Sequence, residues 1–111
     1  MSEEKRRAPR VCRRFILRAA VFGEEPLRWS VVTIHNLSAS GVLFTFDKPA
    51  REGMLLCFKI DFPEKVIQCM GRVARVGGVH ESVYHDVAAH LEGITPEDQS
   101  YIENFVRKNL P

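Results

Sequence analysis

The segment Trp29–Phe46, WSVVTIHNLSASGVLFTF, organises the chain. Two runs rich in β-branched and apolar residues flank a polar segment, Asn36–Gly41, whose Asn, Ser and Gly residues dominate turns. The pattern predicts two antiparallel strands joined by a hairpin. Because side chains alternate along an extended segment, Asn36 and Ser38 are expected on one face, about 7 Å apart, with Leu37 on the other. A glycine at the end of the turn permits a positive φ or a close approach of another group.

Hydrophobic patterning predicts four more strands. With the two runs at 29–35 and 42–46, strands are expected at 11–22, 54–62, 66–76 and 83–91. Gly71 inside the fifth strand suggests a bulge or a bend, and 77–82 is expected to be a loop. Six short strands at regular spacing indicate an antiparallel β-barrel.

A terminal α-helix is predicted at about 96–109. Thr95 suits the N-cap, Pro96 suits the first helical position, and the two acidic residues that follow face the positive end of the helix dipole. Apolar residues then recur at helical spacing from Ile102 to Leu110, so one face can pack against the strands. The expected fold is all-β with a terminal helix: a six-stranded antiparallel β-barrel capped by a C-terminal α-helix.

The basic residues are concentrated near the N-terminus. Seven of the 16 lysines and arginines lie between Lys5 and Arg18. Residues 1–10 are predicted to be a flexible basic leader, and residues 11–111 a single barrel domain. If the first hairpin turns near Glu25, antiparallel pairing sets Asn36 opposite about position 14, so the leader ends beside the 36–41 turn. A solvated basic tail is the ordinary explanation of such a run, but this proximity favours a binding role.

Length and composition limit the class of protein. A chain of 111 residues that is 45% hydrophobic forms one domain with a real core, and a net charge of +2 does not demand a nucleic-acid partner. No apolar run is long enough to span a membrane and the start is not signal-like, so a cytoplasmic protein is expected. Cys12, Cys57 and Cys69 lie in apolar runs and are interpreted as reduced packing residues.

Two motifs in order give the sequence a resemblance to a known family. Arg6-Arg7-Ala8-Pro9-Arg10, followed by Asn36-Leu37-Ser38-Ala39-Ser40-Gly41, resembles the RxxxR and [D/N]xSxxG signature of the PilZ domain, a bacterial receptor module for cyclic di-GMP. The similarity continues through Gly71–Arg75 and into the terminal helix, and so covers nearly the whole chain. Ala88 and Leu91 depart from the glycine and the aromatic residue that are frequent in the family, both at packing positions.

The resemblance implies a function as well as a fold. It implies a cyclic di-GMP receptor without a further cofactor, acting on a downstream protein. The implied ligand-binding residues are Arg6, Arg7, Arg10, Asn36, Ser38 and Gly41. Arginine suits this ligand because its planar fork can bind phosphodiesters and the paired O6 and N7 acceptors of guanine, and can stack on bases.

Two alternatives use the same fold without that ligand. One is an interaction protein that does not bind nucleotide, against which the intact motifs argue. The other is a small barrel that binds single-stranded nucleic acid, which predicts aromatic residues among the basic ones, yet Met1–Arg14 has none.

The sequence predicts neither catalysis nor a metal site. His80 and His85 lie near acidic residues, but no cysteine falls at zinc spacing, so solvated loop residues are expected. His35 and His90 have no visible partner for acid-base work, and the serines of the turn are not in a GxSxG elbow.

Overall fold

The computed structural model describes residues 15–80 and 84–109, without the side chains of residues 78–80. Within these ranges the chain forms six strands and one helix. They are β1 (Ile16–Val21), β2 (Ser30–Leu37), β3 (Gly41–Phe46), β4 (Leu55–Asp61), β5 (Val66–His80), β6 (Tyr84–Glu92) and α1 (Pro96–Asn109). All neighbouring strands are antiparallel, and the order β1-β2-β3-β6-β5-β4 closes because β1 pairs with β4. The predicted six-stranded antiparallel barrel with a C-terminal helix is confirmed.

Strict alternation along the strands builds the core. In β4 the side chains of Leu56, Phe58 and Ile60 are buried, whereas those between them are partly exposed. β3 repeats the pattern with Phe44 and Phe46 completely buried. Each strand therefore gives one apolar face to the barrel interior, and burying that face stabilises the fold at roughly 25 cal/mol per Å² of apolar surface.

Gly71 serves close packing rather than a bulge. It pairs in regular register with Leu56 on one side and Leu91 on the other, so a bulge at this position is wrong. A Cβ atom here would overlap the ring of Phe58, which fills the space that a side chain would need. The glycine is required by a ring on the neighbouring strand.

The bulge of β5 lies three residues later, at Ala74. Val73 faces Ala89, but Arg75 faces Ala88, so Ala74 is the extra residue. A bulge bends its strand and increases the local twist, which helps a sheet to close.

The segment predicted as a loop at 77–82 is mostly strand. β5 continues to His80, which faces Tyr84 of β6, after a second register shift between Val76 and Val79. The glycines at 77 and 78 suggested a loop, but they lie at the register shift of a strand whose flanking residues, Val76 and Val79, both pair with β6.

The first hairpin agrees closely with the predicted pairing. Leu17 faces Val32 and Ala19 faces Ser30, one residue from the expected register. The predicted strand start at 11–14, and the leader that carries Arg6, Arg7 and Arg10, lie outside the described residues.

Helix α1 covers one end of the barrel. Its N-cap forms as expected, because the Asp98 amide donates to Thr95 Oγ1 at 3.0 Å. Ile102 is completely buried, and Phe105 packs its ring against Phe62 with centroids 4.8 Å apart. Within the described part of the chain, no helix is long and apolar enough to cross a membrane.

The two described cysteines are free thiols, of which Cys69 packs in the core, and Cys12 lies outside the described residues. Cys69 is 7% exposed, and burial raises its pKa to about 11. Burial also raises the pKa of Cys57, which is partly exposed on the outer face of β4. Both thiols are therefore protonated near neutral pH, as expected of packing residues.

Candidate functional site

The turn between β2 and β3 is closed by its own serine. Ser38 Oγ accepts from the amides of Ser40 and Gly41 at 3.3 and 3.2 Å, and the Ser38 amide donates to the Gly41 carbonyl at 2.9 Å. Leu37 is 4% exposed and anchors the turn, whereas Asn36 and Ser38 are exposed. The predicted division of faces is therefore present, with two polar side chains outward and a leucine inward.

A groove of about 240 Å³ opens beside this turn. It crosses four adjacent strands in the order β2, β3, β6 and β5. Its polar side chains are those of Asn36, Ser38, Ser40 and His90, and its small residues are Gly41, Ala74, Ala88 and Ala89. The small residues allow a ligand to approach the backbone of the sheet.

Gly41 has no room for a side chain. A Cβ atom at this position would lie 2.8 Å from the carbonyl oxygen of Ala89 on β6. Because that oxygen belongs to the backbone, a side chain at Gly41 would push β3 and β6 apart. The last residue of the motif therefore keeps two strands close together directly under the groove.

The described chain begins next to the groove. Phe15 lines a small cleft together with Asn36 and with Phe105 and Val106 of α1. Its ring stacks on Phe62 at 5.4 Å and meets Phe105 edge-on at 5.5 Å. These contacts fix the place where the preceding residues join the barrel, immediately beside Asn36.

Two arginines of β5 differ in the hydrogen bonds and ion pairs that they form. Arg72 pairs with Glu92 at 2.9 Å and donates to the Gly53 carbonyl at 3.0 Å, which ties β5 to β6 and to the loop before β4. Arg75 is exposed and faces Ala88 across the ladder. Its guanidinium makes no hydrogen bond or ion pair within the part of the chain whose side chains are described, residues 15–77 and 84–109.

Comparison with known proteins identifies the family. A family model for the PilZ domain matches residues 4–108, almost the whole chain. The chain belongs to the PilZ domain family. The predicted resemblance is thus confirmed, and PilZ domains are receptor and adaptor domains rather than enzymes.

A solved structure gives the same fold. The Bacillus subtilis inhibitor of motility (MotI/DgrA) superposes with a TM-score of 0.66 at 20% sequence identity, over 84% of this chain and 46% of that protein. This PilZ chain therefore spans less than half the length of that protein. At this identity the likeness concerns the fold alone. No curated protein sequence matches the chain.

Half of the predicted PilZ ligand residues fall within the described part of the chain. Asn36, Ser38 and Gly41 line one groove. Arg6, Arg7 and Arg10 are among the residues that the structure does not describe.

The sequence reasoning missed several groove residues. Ala74, Ala88 and His90 join the motif only because β5 and β6 close the barrel beside β3. Alternation in the last strand already placed His90 outward, but nothing local linked it to the turn. His35, expected to lack a partner, lies 2.6 Å from Thr45 on the next strand.

A second groove, of about 360 Å³, lies between α1 and the β4–β5 turn. Several of its polar side chains are already engaged, since Tyr101 donates to Glu64 at 3.3 Å, Asn104 accepts from Arg107 at 3.2 Å and Asn109 donates to the Phe105 carbonyl at 2.9 Å. It contains none of the motif residues, so the smaller groove is the better candidate. Within the described ranges, no three His, Cys, Asp or Glu side chains converge as metal ligands would.

Proposed function

We propose that this PilZ domain is a cyclic di-GMP receptor that changes a contact with another protein when the ligand binds. One observation carries the proposal: Asn36 and Ser38 share a groove directly beside Phe15, where the chain carrying Arg6 and Arg10 joins the barrel. The family membership supports the same conclusion. A cytoplasmic location is part of the proposal.

The arginines are within reach of the groove. Arg10 precedes Phe15 by five residues, a separation that an extended chain spans with at most about 17 Å. An arginine side chain adds several Å to that reach. Both motif arginines can therefore contact a ligand that is seated against Asn36 and Ser38.

The groove offers the groups that cyclic di-GMP needs. The Asn36 carboxamide has both donors and an acceptor for a guanine edge. Ser38 Oγ accepts from two backbone amides and donates a long 3.3 Å hydrogen bond to the Gly41 carbonyl, and its proton can turn from that carbonyl to a ligand oxygen. Gly41 and the alanines let the ligand approach the sheet, and Arg75 adds a cation beside Ala88. Arg6, Arg7 and Arg10 supply forks for the phosphodiesters and guanines.

A domain of this kind signals by changing the surface that it presents to a partner protein. A ligand shifts an equilibrium only by its differential affinity for the two states, so the bound state must present a surface that the partner distinguishes. We infer that the ligand holds residues 1–10 across the groove and that this ordered leader is the new surface. The cleft that joins Asn36 to Phe105 and Val106 provides a second route, through α1.

A three-ligand titration tests the receptor function. We expect calorimetry to show saturable binding of cyclic di-GMP and none of GTP at the same concentrations. Binding of a short single-stranded oligonucleotide with a steep salt dependence, without binding of cyclic di-GMP, would instead support the nucleic-acid alternative. Absence of binding to all three would support an adaptor without nucleotide.

Hydrogen exchange tests the output. The amides of Glu3 to Arg10 should gain protection when the protein is saturated with cyclic di-GMP. If saturation leaves them unchanged while amides of Phe105 and Val106 change, the signal passes through α1 and the proposal for the leader is wrong.

A further inference from the structure

A β-bulge directly precedes the polar turn. Ile34 faces Phe44 and Asn36 faces Leu43, so His35 is the extra residue of β2. Because side chains alternate along a strand, an extra residue reverses which face the following side chains take.

The reversal determines where Asn36 points. Ile34 packs against the core, and unbroken alternation from it would turn Asn36 into the barrel and Leu37 out to solvent. Instead Leu37 is 4% exposed and Asn36 lines the groove. The bulge at His35 thus turns the face that Asn36 shares with Ser38 outward to the groove.

A series of hydrogen-bonded side chains on three strands holds His35 in place. His35 Nε2 lies 2.6 Å from Thr45 Oγ1 on β3, and Thr45 Oγ1 donates to Asp86 Oδ1 on β6 at 3.1 Å. The hydroxyl has a single proton, and the carboxylate can only accept. Thr45 therefore accepts from His35 Nε2–H, and the direction of both hydrogen bonds is fixed. His35 Nε2 is also 3.7 Å from Asp86 Oδ1.

These contacts lie at a solvated surface. The side chains of His35 and Asp86 are 44% and 34% exposed, and exposed polar contacts contribute little to the stability of a fold. The barrel core is built without them. The position of these contacts is informative instead, because they hold His35, the inserted residue that turns Asn36 to the groove.

We propose that His35, Thr45 and Asp86 form a positioning chain that holds the β2 bulge and so fixes the Asn36 carboxamide for the ligand. His35 and Thr45 are positioning residues that act through Asn36. The inference rests on the proposed cyclic di-GMP site.

Thr45→Val is the direct test, since it keeps the shape of the side chain and removes both hydrogen bonds. Losing them should weaken cyclic di-GMP binding by about fivefold to tenfold, with an unchanged melting temperature. Thr45→Ser restores the hydroxyl and should restore most of the affinity. The matched control is Thr33→Val, which changes the residue directly opposite on β2; its hydroxyl makes no hydrogen bond within the described ranges. Equal affinity in Thr45→Val and Thr33→Val would overturn the proposal.

A double-mutant cycle asks whether the effect passes through Asn36. In an Asn36→Ala background, Thr45→Val should cost no further affinity, because the group that it positions is gone. Additive losses would show that Thr45 acts by another route, and the positioning role would be wrong.

A third measurement needs no ligand, so it separates this inference from the proposed function. The Ser38 amide donates to Gly41, and its hydrogen exchange reports on the end of the bulged strand. Thr45→Val should speed this exchange several-fold and Thr33→Val should not. If the parent protein does not bind cyclic di-GMP, the proposed receptor function is wrong. The exchange rates of the Ser38 amide in Thr45→Val and Thr33→Val then test by themselves whether the positioning chain holds the bulge. Unchanged exchange in Thr45→Val would then overturn it.

Discussion

The helix-covered end of the barrel and the groove beside the 36–41 turn are built from opposite kinds of residue. At the covered end, the rings of Phe15, Phe62 and Phe105 pack on one another. In the groove, glycine and alanines expose the sheet, and Asn36 and Ser38 lie at its edge. The ring cluster thus stabilises one region and the proposed binding site lies in the other, so substitutions should separate stability from ligand affinity.

The largest effect is expected at the covered end. Phe62→Ala removes a ring in contact with Phe15, Tyr101 and Phe105 and leaves a cavity, which should lower the free energy of unfolding by about 3–5 kcal/mol. Urea denaturation measures this loss. Phe22→Ala is the matched control, because Phe22 is 57% exposed and should cost little. The folded fraction of Phe62→Ala should still bind cyclic di-GMP; complete loss of binding would show that the two regions are not separate.

Arg10→Ala should produce the reverse result. A hydrogen bond to a charged group contributes about 1.5–3 kcal/mol, so affinity for cyclic di-GMP should fall by roughly tenfold or more while the unfolding free energy stays the same. Arg51→Ala provides the control, since Arg51 lies in the loop after β3, at the opposite end of that strand from Gly41. If Arg10→Ala binds as tightly as Arg51→Ala, the assigned site is wrong.

Arg6→Lys separates charge from geometry. Lysine keeps the positive charge but loses the planar fork and the stacking surface, so most of the affinity lost in Arg6→Ala should also be lost here. Titrations of both variants at one salt concentration give the comparison. Nearly full affinity in Arg6→Lys would indicate diffuse electrostatic attraction and would favour the nucleic-acid alternative.

The smallest effect is expected at Ser38, which we expect to contribute to both stability and ligand affinity. Its hydroxyl accepts from two amides at 3.2–3.3 Å, which are long hydrogen bonds, so Ser38→Ala should destabilise the protein by only about 0.5–1 kcal/mol. Ligand affinity should fall several-fold, since the turn loses both a donor and its internal brace. Ser30→Ala, which removes one marginal 3.5 Å contact with Asp47, should change neither property. Unaltered affinity in Ser38→Ala would limit the role of Ser38 to the turn.

Much of this architecture could be predicted from the sequence because it depends on neighbours along the chain. Alternation in 54–62 gave the buried face of β4, and Thr95 with Pro96 marked the start of α1. The irregularities were harder to predict. Gly71 suggested a bulge or a bend, but a glycine is required there by the Phe58 ring. The glycines that suggested a loop after Val76 lie inside β5, between residues that pair with β6.

In the candidate site, too, some residues could be predicted from the sequence and others could not. Asn36, Ser38 and Gly41 are visible as a motif, whereas Ala74, Ala88 and His90 are joined to it only by the closed sheet. The spacing of Ile34 and Leu37, three residues apart where alternation requires an even number, was a local signal of the bulge.

The sequence alone determined the strand and helix pattern, the polar turn and the family. Only the tertiary structure decided that an extra residue at His35 lets both Ile34 and Leu37 face the core, and that Asp86, 51 positions along the chain, lies close enough to join His35 and Thr45. Secondary-structure propensity and side-chain alternation depend on residues that are neighbours in the chain. Bulges and barrel closure depend on contacts between distant strands, and those contacts exist only when the whole sheet has formed.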